Sequence, residues 1–337
     1  MKDKIQIGDR WIGVDQPTFI VAEIGSNHDR KIDQAKQHIE AAAKNGADAV
    51  KFQLYTAEDL YPKNSPVYSA VKATELPPEW LPDLARYSAQ CGIMFLSSPF
   101  SYAAVEALAE VNVPAYKWAS SEMVKLDLLK YAAAQGKPML LSTGMCDLAD
   151  VHEAIEVVCA EGNTDIIILQ CTSLYPTPPN KVHLRAMDTL RSAFCLPVGL
   201  SDHTLEITVP VAAVARGACL IEKHLTIDRG LSGPDHNYAL EPNEFKKMVK
   251  AIRDTEQALG SLSKMMLPEE AQFARRDSVR AACDIAAHEV IKPNMLLFDR
   301  PGDGIRPRFM RALFGQKTKR SIAKGEAITW NSIKSPK

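Results

Sequence analysis

Two lysines lie inside short apolar runs of this sequence, where an unpaired charge is costly. Lys51 falls in the run 49–54, and Lys117 falls in the run 115–120. Lysine is seldom fully buried without a partner. The pair therefore predicts an anionic ligand or a lysine that forms a Schiff base. A structural salt bridge is the alternative, and we see no matching excess of carboxylates in the apolar runs that would favour it.

Serine hydroxyls end five of these apolar runs. The serines are Ser98, Ser120, Ser142, Ser173 and Ser201. Hydroxyls and neighbouring backbone N–H groups can hold phosphate and carboxylate oxygens. One such serine is more often a helix N-cap, but five of them together with two lysines favour a small polyanion.

Two histidines and several acids complete the candidate set. His203 ends the seventh run and His224 lies in the eighth, and two neutral imidazoles suit a cation such as Mn²⁺, Zn²⁺ or Co²⁺. Glu222 is two residues before His224 and so faces the same side of a strand. Three further acids are candidates for proton transfer or for binding sugar hydroxyls: Glu23, Glu122 and Asp235.

Eight apolar runs that alternate with helical patterns must position these residues. The runs are 19–25, 49–54, 94–99, 115–120, 138–143, 165–173, 197–202 and 218–226. Their length and Val, Ile, Leu and Phe content are typical of strands buried on both faces. We predict an α/β fold, a (β/α)8 barrel over 1–270, with a doubly wound open sheet as the alternative. In a barrel the polar residues at the strand ends meet at one mouth.

Two segments stand apart from this pattern. The connection 55–80 is long and contains four prolines, which predicts a binding loop, with a plain surface excursion as the alternative. After residue 275 short β-like runs and turn signals replace the long helices, so we predict a small β-rich domain over 276–337.

Composition excludes several classes of protein. The 337 residues carry a net charge of −1 without a basic block, which argues against nucleic acid as a partner. No apolar run is long enough to span a membrane, and the first residues do not resemble a signal peptide. Seven cysteines without a C-x-x-C motif predict reduced thiols and a cytoplasmic protein.

Eight motifs in series resemble the sialic acid synthase family, which makes N-acetylneuraminate and the related legionaminic and pseudaminic acids. They are Ala22–His28, Lys51–Gln53, Ser97–Phe100, Ser142–Met145, Cys171–Pro176, Gly199–Thr204, Glu222–His224 and Gly233–His236. The stretch through Arg300–Gly304 resembles the family's antifreeze-like (SAF, β-clip) domain. The resemblance runs from about Phe19 to Ile333 with order and spacing intact.

The resemblance implies an activity and a role for each position. The enzyme would condense phosphoenolpyruvate with open-chain N-acetylmannosamine and release phosphate by C–O cleavage. It assigns phosphoenolpyruvate to Lys51, Ser98, Lys117, Ser120, Ser142, Ser173, Tyr175 and Ser201. It assigns a divalent metal, Mn²⁺ first with Mg²⁺ or Co²⁺ as alternatives, to His203 and His224, and sugar contacts to Glu23, Gln53, Glu122 and Asp235. It adds Arg300 from the partner subunit of a domain-swapped homodimer.

Some positions depart from the family pattern and leave the acceptor open. Ser173, Trp118 and Tyr238-Ala239 stand where other residues are usual, and Asp277 and His288 depart in the small domain. The acceptor could be N-acetylmannosamine, its 6-phosphate, which would make a 9-phosphate synthase, or a 2,4-diacetamido-trideoxy hexose for legionaminic or pseudaminic acid. A Schiff-base aldolase that uses Lys117, and a binding protein, are the remaining alternatives.

Overall fold

The chain forms two compact units. The computed structural model describes residues 2–271 and 276–334. The barrel unit comprises Met1–Gly260, and the small unit comprises Ser261–Lys337. The domain limits drawn from the sequence, 1–270 and 276–337, stay a prediction.

The barrel unit is built on eight parallel strands that close on themselves. Each strand pairs with the next one along the chain, and Leu220 of the last strand pairs with Phe19 of the first. This closure confirms the predicted barrel and shows that the open sheet was the wrong alternative. The strands are β3 Phe19–Gly25, β4 Ala49–Leu54, β5 Met94–Pro99, β6 Tyr116–Trp118, β7 Met139–Ser142, β8 Ile166–Cys171, β9 Val198–Asp202 and β10 Leu220–His224.

A helix follows each barrel strand and packs on the outside of the barrel. These are α1 Ile32–Lys44, α4 Leu81–Gln90, α5 Tyr102–Glu110, α6 Leu126–Ala133, α7 Leu148–Ala160, α8 Ala186–Phe194, α9 Thr208–Ala215 and α10 Pro242–Leu259. Helix α7 shows why the sequence folds this way. Asp147 and Asp150 form a capping box at its start, and its buried residues recur at helical spacing, from Val151 to Val158.

Alternation along the strands separates two apolar layers. On β4, Val50, Phe52 and Leu54 belong to the large cluster that also contains the buried helix residues. Ala49 belongs to the second cluster, which fills the barrel interior. Lys51 and Gln53 follow Ala49 at a spacing of two, so they lie on the inner face nearer the carboxyl end of the strand. The interior is therefore apolar at the bottom and polar at the mouth.

An N-terminal hairpin, which the sequence reasoning did not predict, closes the bottom of the barrel. Strands β1 Lys4–Ile7 and β2 Arg10–Gly13 pair antiparallel. Ile5, Ile7 and Ile12 are fully buried in the interior cluster. They pack with residues such as Phe19, the first residue of its strand, so the hairpin covers the end opposite the mouth.

The long connection after β4 is ordered in the structure. It contains α2 Ala57–Leu60, α3 Tyr68–Lys72 and a 3-10 turn at Pro78–Trp80. The Tyr55 hydroxyl lies 2.8 Å from the Thr74 hydroxyl, and the Ala57 N–H donates to the buried Glu75 carboxylate at 2.6 Å. These contacts tie both ends of the connection together.

The small unit has its own core and two short strands. It comprises α11 Pro268–Ala271, β11 Ser278–Ala281 and β12 Leu296–Asp299, the strands being antiparallel, and a 3-10 segment Pro307–Leu313. Ten buried apolar residues form the core, among them Val279, Ile305 and Ile328. This confirms a small β-rich domain. Across residues 2–271 and 276–334, no helix is long and apolar enough to cross a membrane.

Candidate active site

A buried cluster of two lysines and two glutamates lies at the mouth of the barrel. The Lys51 ammonium is 2.8 Å from a Glu23 oxygen and 3.6 Å from Glu222, and Lys117 is 3.0 Å from Glu222. All four side chains are at most 5% exposed. The prediction that no barrel carboxylates match the lysines was therefore wrong. Neighbouring strands place Glu23 opposite Lys51 in register, which the sequence of each run does not show by itself.

Burial and the neighbouring charges give the four groups different proton affinities. Burial raises the pKa of Glu23 and outweighs the opposing charge of Lys51. For Glu222 the two lysines overcome burial and lower the pKa to about 2. Burial lowers the pKa of Lys117, whereas the charges of Glu222 and Glu23 overcome burial and raise the pKa of Lys51. Glu23 is thus the carboxyl that takes up a proton more easily, and a protonated Glu23 leaves the cluster with a net positive charge.

Serine hydroxyls surround this cluster. Lys51 donates to the Ser98 hydroxyl at 3.3 Å, and the Ser201 hydroxyl donates to Glu222 at 3.0 Å. The Ser142 hydroxyl is buried without a hydrogen-bond partner among the described residues. A buried hydroxyl that lacks a partner is available to a ligand.

Gly144 keeps the backbone close to two more hydroxyls. Its N–H donates to the Ser120 hydroxyl at 2.9 Å. A Cβ at this position would lie 2.3 Å from the Ser173 hydroxyl and 2.9 Å from that of Ser120, so only glycine fits. The structure therefore brings the hydroxyls of Ser120 and Ser173 close together beside Gly144.

Two histidines lie side by side at the same mouth. The ring centroids of His203 and His224 are 5.4 Å apart. Burial lowers the pKa of both to about 4, so both are neutral at pH 7, which is the form that binds metals. The His203 Nδ1 lies 3.0 Å from the Thr172 carbonyl, to which it can donate a proton. The Nδ1 of His224 is buried without a partner among the described residues.

This arrangement fits a divalent metal with open coordination positions. No group of three or more His, Cys, Asp or Glu side chains suited to a metal occurs within residues 2–271 and 276–334. Two neutral imidazoles would thus be the protein ligands, and water or substrate would supply the rest. A His pair with oxygen ligands suits Mn²⁺ or Co²⁺ among the first-row metals.

Asp235 is held over this pair by the loop that follows β10. Its Oδ2 accepts from the Ser26 N–H and from the Ser26 hydroxyl, both at 2.9 Å. Its Oδ1 accepts from the Tyr238 hydroxyl at 2.6 Å. Burial acts against the charged form, but His224 and these donors together lower the pKa of Asp235, so it is ionised.

Two further predicted residues lie beside these groups. The Gln53 amide donates to Glu23 at 2.7 Å. The Tyr175 ring lies 4.2 Å from the His203 ring, and Tyr175 is 54% exposed, so it covers the histidine at the surface of the mouth.

The remaining two predicted residues have ion-pair partners of their own. Glu122 is buried just after β6, where it pairs with Lys125 at 2.6 Å, and its carbonyl accepts from the Trp118 indole N–H at 2.9 Å. Arg300 belongs to the small unit, where its guanidinium lies 3.4 Å from Asp277 and is 64% exposed. The roles assigned to both residues stay predictions.

Two residues of the site had no role assigned to them from the sequence. Glu222 joins both lysines, and its position two residues before His224 was the signal that could have identified it. Tyr238 contacts Asp235 and His224 from a 3-10 turn, His236–Tyr238, whose path no strand pattern predicts.

Comparison with known proteins gives matches over nearly the whole chain. A model of the NeuB family matches residues 38–264, and a model of the SAF domain matches residues 276–334. The N,N'-diacetyllegionaminic acid synthase of Legionella pneumophila is 37% identical, with 95% of this chain and 96% of that protein covered. The pseudaminic acid synthase of a Campylobacter jejuni strain is 34% identical, with 96% and 98% covered.

A solved structure agrees with this. The crystal structure of N-acetylneuraminic acid (sialic acid) synthetase from Leptospira borgpetersenii, in complex with citrate, is 33% identical with a TM-score of 0.77. The match covers 81% of this chain and 95% of that one.

Proposed function

The chain belongs to the NeuB family of sialic, legionaminic and pseudaminic acid synthases, with a SAF domain, and on that premise we propose that it condenses phosphoenolpyruvate with an open-chain N-acetylated amino sugar. One observation carries the proposal. The buried lysine pair, the ring of serine hydroxyls and the two neutral histidines share one barrel mouth. Such a mouth can hold a small polyanion beside an electrophile.

The lysines and serines bind phosphoenolpyruvate. Lys51 and Lys117 supply the positive charge, and the hydroxyls of Ser98, Ser142 and Ser201 supply hydrogen bonds in a site shielded from water. Ser120, Ser173 and Tyr175 extend the same surface. Proton uptake by Glu23 would offset the added negative charge, because this carboxyl already has the raised pKa.

The other half of the mouth binds the acceptor sugar. C3 of phosphoenolpyruvate attacks the aldehyde carbon, so a C–C bond forms and the aldehyde oxygen takes up a proton. We assign that proton to Glu23, because burial raises the pKa of this carboxyl, and we assign the sugar hydroxyls to Asp235 and Gln53. Water then adds at C2, and phosphate leaves with the bridging oxygen through C–O cleavage. Glu122 is a further candidate for these contacts.

His203 and His224 hold the divalent metal, Mn²⁺ first, with Mg²⁺ or Co²⁺ as alternatives. When bound, the metal polarises the aldehyde of the acceptor as a Lewis acid. The unpartnered His224 Nδ1 supports this assignment, because a buried ring nitrogen without a hydrogen bond is costly unless a ligand meets it.

The small unit completes the site from the other subunit of a domain-swapped homodimer. Arg300 is exposed and carries a planar guanidinium suited to an N-acetyl oxygen or a hydroxyl. We place the enzyme in the cytoplasm, where phosphoenolpyruvate is made and where its free cysteines stay reduced.

Phosphate release in the presence of three acceptors tests the proposal. N-acetylmannosamine is our first choice, and its 6-phosphate and a 2,4-diacetamido-trideoxy hexose, as in the legionaminic and pseudaminic acid synthases, are the alternatives. We expect one of them, with Mn²⁺ and phosphoenolpyruvate, to release phosphate in step with the formation of a 2-keto sugar acid. Absence of phosphate release with all three would overturn the proposal.

One observation favours a second candidate, a Schiff-base aldolase. Burial lowers the pKa of Lys117, and a neutral amine is what a Schiff base requires. Borohydride with a carbonyl substrate would trap Lys117 irreversibly in that enzyme. We expect no trapping, because Lys117 is paired with Glu222 and the aldolase has no use for the histidine pair.

A further inference from the structure

The Tyr238 phenol occupies one side of the Asp235 carboxylate. Its hydroxyl donates to Oδ1 at 2.6 Å, while both donors from Ser26 go to Oδ2. A carboxylate offers about four lone-pair directions. Three of them are therefore filled by the protein, and Asp235 keeps one for a substrate hydroxyl.

The ring of Tyr238 also fills space beside the histidines. It packs edge-on against His224 with centroids 5.0 Å apart, and lies 5.5 Å from the ring of Tyr175. Tyr175 in turn lies 4.2 Å from His203. Tyr238 is only 5% exposed although it sits on a loop above the mouth. The two tyrosines thus form an aromatic wall on the side of the mouth where Asp235 and the histidine pair meet.

Tyr238 is not directly bonded to the lysine cluster. None of the hydrogen bonds or ion pairs of Lys51, Lys117 and Glu222 within the described chain involves Tyr238. A change at Tyr238 therefore acts directly on whatever binds at Asp235, and it reaches the phosphoenolpyruvate surface only through the packing of Tyr238 against Tyr175.

We propose that Tyr238 determines which acceptor sugar the enzyme accepts. The inference rests on the proposed function and deepens it. The hydroxyl removes one hydrogen-bond acceptor of Asp235 from the substrate, and the ring limits the volume beside it. The hydroxyl discriminates against the acceptor richer in hydroxyls and the ring discriminates against the bulkier acceptor, since specificity follows from contacts and space that differ between substrates.

Two substitutions separate the hydroxyl from the ring. Tyr238→Phe keeps the ring and releases Oδ1, so it favours the acceptor richer in hydroxyls, N-acetylmannosamine. Tyr238→Ala also removes the ring and so opens space beside Asp235. Compared with Tyr238→Phe, it therefore favours the bulkier 2,4-diacetamido-trideoxy hexose. We expect the ratio of kcat/KM for the two sugars to move by about tenfold or more at each step.

The experiment measures kcat/KM for both sugars and the KM of phosphoenolpyruvate in the wild-type enzyme and both variants. Tyr116→Phe is the matched control, because Tyr116 is fully buried on the outer layer and donates only to the Val105 carbonyl at 3.3 Å. The control should leave the ratio unchanged, and both the control and Tyr238→Phe, which keeps the ring against Tyr175, should keep the KM of phosphoenolpyruvate within about twofold. A second readout is the affinity for the alditol of each sugar, measured by calorimetry. The alditol lacks the aldehyde and cannot react, so this measurement needs no turnover and can be made for both sugars even if only one of them is a substrate.

Three outcomes decide the proposal. Ratios or alditol affinities that move in opposite directions at the two steps support it. Values within about twofold of wild type in both variants, with wild-type turnover intact, overturn the role of Tyr238 and leave the proposed function standing. A wild-type enzyme that neither releases phosphate nor binds either alditol counts against the proposed function itself.

Discussion

The barrel unit buries the charged pairs at its mouth, whereas the small unit exposes the charged pair around Arg300. Met1–Gly260 holds 25 lysines and arginines against 33 aspartates and glutamates, and Ser261–Lys337 holds 15 against 8. In the barrel, Lys51 and Glu23 are 3% and 1% exposed. In the small unit, the Arg300–Asp277 pair is 64% and 50% exposed. The same residue types therefore serve in two different dielectric environments.

This difference indicates where the chemistry lies. A buried ion pair costs desolvation that its attraction only partly returns, so it is poor evidence for stability and good reason to look for a function. An exposed pair costs little and contributes about 0–1 kcal/mol. We therefore assign bond making to the barrel, and to the small unit only contacts that a surface arginine can offer.

Removing the metal should have the largest effect. EDTA should abolish turnover, and Mn²⁺ should restore it, because we propose that the two imidazoles of His203 and His224 hold the ion. His203→Ala should lower kcat by more than about 100-fold without unfolding the barrel, since the residue lies at the mouth and not in the packed layers. His183→Ala, which changes an exposed histidine, is the control. Full activity in EDTA would contradict the assignment.

The buried lysines should separate function from stability. Lys51→Ala and Lys223→Ala should each lower the free energy of unfolding by about 3–5 kcal/mol, because each leaves a buried carboxylate unpaired. Lys117→Ala should lower it less, because Glu222 keeps Lys51 at 3.6 Å. Lys223 is the matched control, since its partner is Asp202 at 2.6 Å and both are 1% exposed.

Only Lys51→Ala and Lys117→Ala should change the kinetics with phosphoenolpyruvate, with a loss of about 2–5 kcal/mol in kcat/KM. Urea unfolding and steady-state assays measure the two effects side by side. If both Lys51→Ala and Lys117→Ala kept normal kinetics with phosphoenolpyruvate, these buried lysines would not bind it, and their burial would not mark a functional site.

Acid should destabilise the barrel unit. Burial lowers the pKa of His28, His38, His203 and His224 from 6.5 to about 4. These histidines bind protons less readily in the folded state than in the unfolded state. The free energy of unfolding is therefore at its full value above pH 6.5 and decreases as the pH falls from 6.5 towards 4. Each histidine should contribute on the order of 3 kcal/mol.

Thermal unfolding followed at pH 7.5, 5.5 and 4.5 checks this. His38→Gln should flatten the pH dependence, because it removes one of the four buried histidines. An unfolding temperature that stays constant over this range would show that the buried histidines do not behave as described.

The smallest effect should come from the exposed arginine. Arg300→Ala should lower kcat/KM for the acceptor by about 1.5–3 kcal/mol, the value of a hydrogen bond to a charged group, and change stability by less than about 0.5 kcal/mol. Arg320→Ala, another exposed arginine of the small unit, is the control.

Subunit mixing then tests whether the site is shared. Random exchange of Arg300→Ala and His203→Ala protomers should restore roughly a quarter of wild-type activity, since half of the dimers would carry one intact site. No recovery after confirmed exchange would mean that Arg300 serves its own chain or none.

The barrel could be predicted from sequence because each strand carries its own signal. Runs such as Phe19–Gly25 and Ala49–Leu54 were placed with the bounds that the structure shows. The spacing of Glu222 and His224 likewise put both on one face. These features depend only on local composition and on the two-residue period of a strand.

What the sequence could not show depends on the register between segments. The pairing of Lys51 with Glu23 follows from neighbouring strands and a register shift after Glu23. The contact between Tyr238 and Asp235 follows from the path of a loop. The N-terminal hairpin was missed because its four-residue strands are too short to stand out from a surface segment.

The origin of the released phosphate oxygen tests the central claim most directly. The wild-type enzyme is given phosphoenolpyruvate labelled with 18O in the bridging oxygen, together with Mn²⁺ and the acceptor that it uses. We predict that the label leaves with phosphate, because water supplies the new oxygen at C2 of the product. Label retained in the sugar acid would mean P–O cleavage and would contradict the account.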